Sequence, residues 1–350
     1  MSNRSAQILF ILAGILVLVM GISLRLGAVP ISWLDMLQGL LATLKGNPFK
    51  TIEQSVFMQL RLPRVLVCAM GGALLSVSGV LMQAVFRNPI VEPGMLGTSA
   101  GAALGASLVI AFAGWFPIIF SVIPVIWLQP LLAFLMAALA TYFVVQFAGT
   151  QQVISTSSLL LAGMSINAVA LSLIGLISYF SRDPQARSIT FWNLGSFSGV
   201  NWLQCMLIAV CIVPCWFFCY RKANQLDTLM LGYNDAIYAG TDVKKLRNQL
   251  MIVNMIMVAV LTCFVGVIAF MGMIIPHIVR MLLGSNHRIL LPASAIGGAI
   301  ILCVTDLFAR LVIAPAELPI GIITSLMGAP LFLYLLRKFG LLQSQGGVYD

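Results

Sequence analysis

Apolar residues run along this chain in blocks of about twenty, a length that crosses a bilayer as a helix. Short clusters of proline, glycine and charge separate the blocks. The pattern predicts an all-α, polytopic membrane protein with about ten transmembrane helices. The expected spans are 8–28, 62–86, 96–114, 117–147, 153–180, 202–220, 249–270, a short eighth at 273–284, then 290–313 and 320–337. The second block is more than an anchor. Gly71, Gly72, Ala73, Ser76, Ser78, Gly79 and Ala84 thin its surface, so another backbone can approach closely. Arg87-Asn88-Pro89 and Glu92-Pro93-Gly94 then break the chain before a third block whose start is again crowded with small residues.

Three stretches between the blocks carry patterns of their own. Residues 31–60 place Trp33, Met36, Leu37, Leu40 and Leu41 at helical spacing, which predicts a short helix lying in the membrane interface. Residues 181–201 hold Phe191, Trp192 and Leu194, and predict a half-buried, re-entrant helix over 185–199. Residues 221–248 are the longest polar segment. Leu226, Leu229 and Met230, then Ala236, Ile237 and Ala239, form short helical patterns punctuated by Gly232 and Gly240. Such a loop is either a solvated connector or a docking knob for a soluble partner.

Composition narrows the class. Hydrophobic residues make up 61% of the 350 and charged residues 8%, too few charges to surface a soluble fold, where about 25% is usual. The net charge of +9 does not imply nucleic-acid binding, because the 19 basic residues are dispersed at block ends. With the N-terminus inside, 11 of them face the cytoplasm and 8 the outside, which places both termini in the cytoplasm. The outward arginines, Arg61, Arg64 and Arg310 among them, therefore need a reason of their own. The first block runs into Arg25 and Pro30 without a small-residue cleavage site and is read as a retained helix.

Candidate chemistry is sparse. Cys211, Cys215 and Cys219 share a helix face, but no histidine or carboxylate joins them, and cysteine serves as a small hydrophobe. Gly97-Thr98-Ser99-Ala100-Gly101 is a literal G-x-S-x-G, which with His277 raises an intramembrane serine hydrolase as an alternative. That motif works on a strand-to-helix turn, and no strand is predicted here. An ion path would need ionisable residues within the spans, which are nearly absent. No G-x-x-x-x-G-K occurs, so any ATP must be hydrolysed by a separate subunit. What remains is a pathway of small, neutral, weakly polar residues, suited to a bulky amphipathic cargo.

Several motifs carry a family resemblance. RLPR at 61–64, Ser78-Gly79 with Gln83, Asn88-Pro89, Glu92-Pro93-Gly94 and Leu96-Gly97 resemble permeases of bacterial ABC importers for iron chelates, heme and vitamin B12, the FecCD type. STSSLLLAG at 155–163, FWNLGS at 191–196, the 266–295 stretch, TDLFAR at 305–310 and PAELPIGIITSLMGAP at 315–330 extend the likeness to Lys338. The resemblance implies a type II ABC importer permease fold in the bacterial inner membrane. It implies a homodimer, two ATP-binding subunits, a periplasmic substrate-binding protein and surrounding lipid as partners. No cofactor is expected on this chain; ATP and Mg belong to the partner ATPase. Leu231, Gly232, Asp235, Ala236, Ala239 and Gly240 are expected to couple to that ATPase, and Arg61, Arg64 and Arg310 to receive the binding protein at an exposed rim. Ser165, Asn167 and Ser172 are expected to line the path, with gates at Thr156 and Ser157 and at Asn88 and Ile90. PAELPIG resembles heme and vitamin B12 permeases more than catecholate-siderophore ones, and SRDPQARSITFWNLGS is most similar to heme permeases, so the cargo expected is heme or another iron chelate, with a ferric siderophore or vitamin B12 as alternatives.

Overall fold

The computed structural model describes residues 3–27, 29–112, 124–148 and 156–345, and these residues form helices and turns without a strand. The first helix, α1, covers Asn3–Arg25, and α2 (Trp33–Leu44) and α3 (Ile52–Val56) follow. A π-helical turn at Phe57–Arg61 leads from α3 straight into α4 (Leu62–Phe86). A 3-10 turn at Pro93–Leu96 precedes α5 (Thr98–Phe112), then come α6 (Val125–Phe147), α7 (Thr156–Phe180) and α8 (Asp183–Asn193). The second half holds α9 (Trp202–Arg221), α10 (Ala223–Leu231), α11 (Tyr233–Tyr238), α12 (Val243–Val265), α13 (Met271–Leu283), α14 (His287–Leu311) and α15 (Ile320–Gln345). Among the described residues seven helices are long and apolar enough to cross a membrane. Three shorter apolar ones, Thr98–Phe112, Met271–Leu283 and Ile320–Tyr334, bring the total to the expected ten. The expected span portions 113–114, 117–123 and 153–155 lie outside the described residues.

Two boundaries differ from the hydropathy reading. The seventh span, expected at 249–270, is a helix six residues earlier. Asp242 caps it by accepting the Lys245 N–H at 3.0 Å, and Val243, Leu246 and Leu250 bury one face while Lys244 and Lys245 stay outside. An amphipathic start is invisible to a test for apolar runs. Gly266, at φ +82, then ends the helix. In α2 the apolar positions divide between two faces: Met36 packs inward with Ile31, Phe57 and Met58, whereas Trp33, Leu37, Leu40 and Leu41 face outward. The re-entrant helix expected at 185–199 occupies Asp183–Asn193.

The bundle is organised around α4 and α14, which run antiparallel. At Gly72 and Gly298 the two backbones approach so closely that a Cβ on either would overlap the other's carbonyl oxygen. A Cβ on Gly79 would likewise overlap the carbonyl of Gly272 in α13. A seam of Gly101, Gly105, Ala102, Ala106, Ala133 and Ala137 joins α5 to α6. Two polar groups buried on α4 find partners on neighbouring helices: Ser78 Oγ donates to Asn254 Oδ1, and Gln83 Nε2 donates to the Met273 carbonyl at 3.1 Å. Residues 266–270 are non-helical, and Phe270 takes a left-handed φ of +68. Its N–H is held by Glu92 Oε1 at 2.5 Å, which ties the 92–96 turn to the start of α13. With 13 residues, α13 rises only about 20 Å, short of the roughly 30 Å hydrocarbon layer.

Candidate functional site

At the end of the bundle where α4 begins and α14 finishes, Arg61, Arg64 and Arg310 line one cavity of about 270 Å³ together with Gly27, Ser198 and Glu317. The sequence predicts three cations on an exposed rim; the structure instead buries Arg61 and Arg310, at 6% and 8% exposure. Arg61 Nη1 donates to the carbonyls of Leu24 and Arg25 at 3.0 and 2.8 Å, and its Nη2 donates to the Val29 carbonyl. Arg310 donates to Asp306 Oδ2 at 3.0 Å and to Ser23 Oγ at 2.6 Å. Arg64 donates twice to Asp306 Oδ1, at 3.1 and 2.8 Å, and bidentately to Glu317 at 2.7 and 2.9 Å. The physical reason is desolvation: a guanidinium inside an apolar bundle must fill its donors from the chain itself. Three arginines against two acids leave one positive charge in excess. Of the two acids, Asp306 is fully buried and Glu317 is 34% exposed, so Glu317 is the partner that can leave.

Along the flank of the bundle, α7 stays largely uncovered. Leu161, Met164, Val169, Leu171, Leu176, Tyr179 and Phe180 are exposed, with Ser157, Ser165 and Ser172 among them. Ser165 Oγ turns back on the Leu161 carbonyl at 2.9 Å, so its polarity is satisfied within the helix. Asn167 is half-buried, and its Oδ1 has no hydrogen-bond partner among the described residues. Two cavities open along α7. One of about 480 Å³ is lined by Phe147, Ser158, Leu161 and Ser165, and one of about 920 Å³ by Phe112, Leu176, Phe180, Arg182 and Gln185. Thr156 begins α7, and its side chain lies outside the described residues. The 93–96 turn seats on the other side of this helix, where Gly163 meets the Met95 carbonyl. Just before that turn Asn88 and Ile90 are half-buried, and Asn88 Oδ1 accepts the Ile90 N–H at 3.0 Å.

At the opposite end of the bundle, α10 and α11 form a compact knob. Leu231 is 74% exposed and Tyr238 88%, and Asp235, Ala239 and Gly240 are also at the surface. Ala236 differs from the expectation: it is fully buried and packs into this chain, because the short α11 must turn one face inward to stay folded. Gly232 is the buried joint between the two helices, next to Asp235 and Arg87. Two ties hold α10 to α14. His287 places both its backbone N–H (3.0 Å) and its ring Nδ1 (2.6 Å) on Asp227 Oδ1, and Arg288 Nε donates to Asn224 Oδ1 at 2.9 Å. Burial pushes the Asp227 carboxyl up, but the His287 hydrogen bonds and the Arg288 charge outweigh it and hold the group below its usual range. Sequence reasoning missed these ties and Tyr238; the aspartate and histidine are 60 residues apart and neither stands in a pattern.

The G-x-S-x-G serine is part of a helix. Ser99 sits in the first turn of α5, half-buried, against Gly94. Cys215 and Cys219 pack into the main apolar core. Among the described residues, no three histidine, cysteine or acidic side chains gather as metal ligands.

The chain as a whole has close counterparts. The model of the FecCD transport family matches residues 15–338. The hemin transport system permease protein HmuU of Yersinia pestis is 36% identical over 341 residues, covering 94% of each chain. The vitamin B12 import system permease protein BtuC of Salmonella typhi is 40% identical over 282 residues, 80% of this chain and 83% of that one. A solved structure of a metal-chelate type ABC transporter in an inward-facing conformation superposes with a TM-score of 0.82 at 31% identity, covering 95% of this chain and 99% of the other. The ten apolar helices among the described residues, the short α13 and this likeness over nearly the whole length agree, and the chain belongs to the FecCD transport family as a non-catalytic permease subunit.

Proposed function

We propose that two copies of this chain, with two ATP-binding subunits and a periplasmic binding protein, carry heme across the bacterial inner membrane into the cytoplasm. The observation that carries this reading is α7. Its uncovered face mixes large apolar side chains with serines, which suits a second copy closing a weakly polar path between the two subunits. Weak contacts let a bulky planar cargo pass without a tight intermediate site. Heme is favoured as cargo by the similarity to the hemin permease over 94% of both chains. In this reading both termini are cytoplasmic, the arginine end faces the periplasm, and the knob of Leu231, Asp235, Ala239, Gly240 and Tyr238 meets the ATPase. ATP and Mg belong to the ATPase, and Ser157, Ser165, Asn167, Asn88, Ile90 and Thr156 border the path.

The test is reconstitution of the chain in proteoliposomes with its ATP-binding subunit and binding protein, using hemin and cyanocobalamin as cargoes. ATP-dependent hemin accumulation is expected, with no hydrolysis by the permease alone. Accumulation of cyanocobalamin and not hemin would assign the alternative cargo.

The same assembly tests the periplasmic docking site. The arginine cluster carries one excess positive charge, and Glu317 occupies the outward side of the Arg64 fork. A carboxylate on the binding protein fits this socket in exchange for Glu317. Glu317→Gln weakens the internal competitor, so affinity for the binding protein should rise. An exposed ion pair is worth up to about 1 kcal/mol, so the gain should be roughly fivefold at most. Titration of the binding protein onto the reconstituted complex measures it, and a loss of affinity would place docking elsewhere.

A further inference from the structure

Asp227 and His287 take no part in the path or the arginine cavity, yet they form the tightest polar contact in the knob. The His287 ring is fully buried, and its Nε2 has no hydrogen-bond partner among the described residues, so Asp227 is the ring's polar tie. The neighbouring Asn224–Arg288 bond repeats the link three residues earlier on α10, making the joint two-point rather than a pivot. Asn286 caps this end of α14 by accepting the Arg288 N–H at 2.9 Å. Pro292 removes the backbone donor that would close on the Arg288 carbonyl, so the side-chain ties to α10 add a hold where the helix ladder has one bond fewer. Beyond Pro292 the helix continues without a break to Leu311, 25 residues in all, or about 37 Å. It is pressed against α4 at Gly298, and at its far end Asp306 and Arg310 form the centre of the arginine cluster.

We propose that Asp227 and His287 are positioning residues that fix the ATPase-facing helix α10 to α14, so that a displacement of the knob is delivered through α14 to the arginine end. With the joint intact, α10 and the first turn of α14 move as one body. Without it, the knob still presents Leu231 and Tyr238 to a partner, but it tilts on its apolar contacts (Ala223, Leu226 and Leu229) and the stroke is lost before it reaches the span. This inference rests on the reading of the knob as the ATPase contact.

The experiment uses the reconstituted importer with hemin as the cargo probe, and compares Asp227→Ala, His287→Ala and the exchanged double variant Asp227→His/His287→Asp. The readouts are co-purification of the ATP-binding subunit and hemin delivered per ATP hydrolysed. A transmitted coupling is typically worth a factor of roughly five or more, so each single variant should lose about that much uptake per ATP while still capturing the subunit. The exchanged pair should recover a substantial part of the loss, which restoration of packing alone would not produce. An unchanged ratio in both single variants overturns the proposal. So does a parallel loss of co-purification, hydrolysis and uptake that the exchanged pair fails to rescue, since that marks a fold element only. Leu231→Arg separates the two readings. If it leaves capture of the ATP-binding subunit untouched, the knob is not the ATPase contact and the joint falls with it. If it abolishes capture while Asp227→Ala keeps the parent ratio, the joint alone is wrong.

Discussion

Asp306→Ala should leave little folded protein. The carboxylate is fully buried and holds Arg64 at 2.8 Å and Arg310 at 3.0 Å, so its removal leaves Arg64 with Glu317 as its carboxylate and Arg310 with the uncharged acceptors of Ser23 and Leu26. Breaking a buried ion pair from one side costs about 3–5 kcal/mol, a large share of a typical stability of about 5–15 kcal/mol. Thermal unfolding in detergent should show an early, broadened transition, and membrane yield should fall. Arg310→Glu should be at least as harmful, because it sets a second carboxylate against Asp306. Arg64→Lys keeps the charge but loses the planar fork that spans Asp306 and Glu317, and should cost less. A parent-like melting curve for Asp306→Ala would show that the cluster contributes nothing to the fold. For the same reason, charge reversal of all three arginines cannot report on docking alone, whereas Glu317→Gln alters the cavity at its exposed member.

The second large effect is expected at the helix crossings. A methyl at Gly79 would fall on the carbonyl of Gly272, and one at Gly72 on the carbonyl of Gly298. Backbone cannot rotate away as a side chain can, so α4 would have to move off α13 or α14 along its length. Overpacking of this kind costs about 1–3 kcal/mol and occasionally more. Gly79→Ala and Gly72→Ala should lie at or above the upper end. Two controls calibrate the claim. At Gly71 the nearest obstacle is Leu261 Cδ1 at 2.9 Å, the tip of a flexible side chain, and Gly71→Ala should be milder. At Gly175 nothing lies within 4 Å, and Gly175→Ala should change stability by no more than about 0.5 kcal/mol. Equal melting temperatures for Gly79→Ala and Gly175→Ala would refute the close-approach account.

Much of this molecule is legible along one dimension. The ten spans, the break at Arg87-Asn88-Pro89, the small-residue surface of α4 and the paired helices of the knob follow from hydropathy, glycine placement and helical spacing, which are properties of neighbouring residues. The motifs between Arg61 and Lys338 were also enough to place the chain in its family. Where charge and apolarity mix, the reading slips. The start of α12 was hidden because Val243 and Leu246 alternate with lysines, and the inward turn of Met36 in α2 was not legible because Met36 and Leu37 look alike without a neighbour to pack on.

The sequence by itself determined that the chain crosses a membrane many times, where it turns and which segments are rich in small residues, because each of these depends on local composition. Only the tertiary structure decided what Arg61, Arg64 and Arg310 do. Arg64 and Asp306 lie 242 residues apart and meet because α4 and α14 pack antiparallel through Gly72 and Gly298. The same packing buries Arg61 and Arg310, and the folding of the knob turns Ala236 inward and seats Asp227 on His287. A charge in an apolar segment announces that it needs a partner, but the partner is chosen by which helices touch and at what depth, and that information exists only once the bundle has closed.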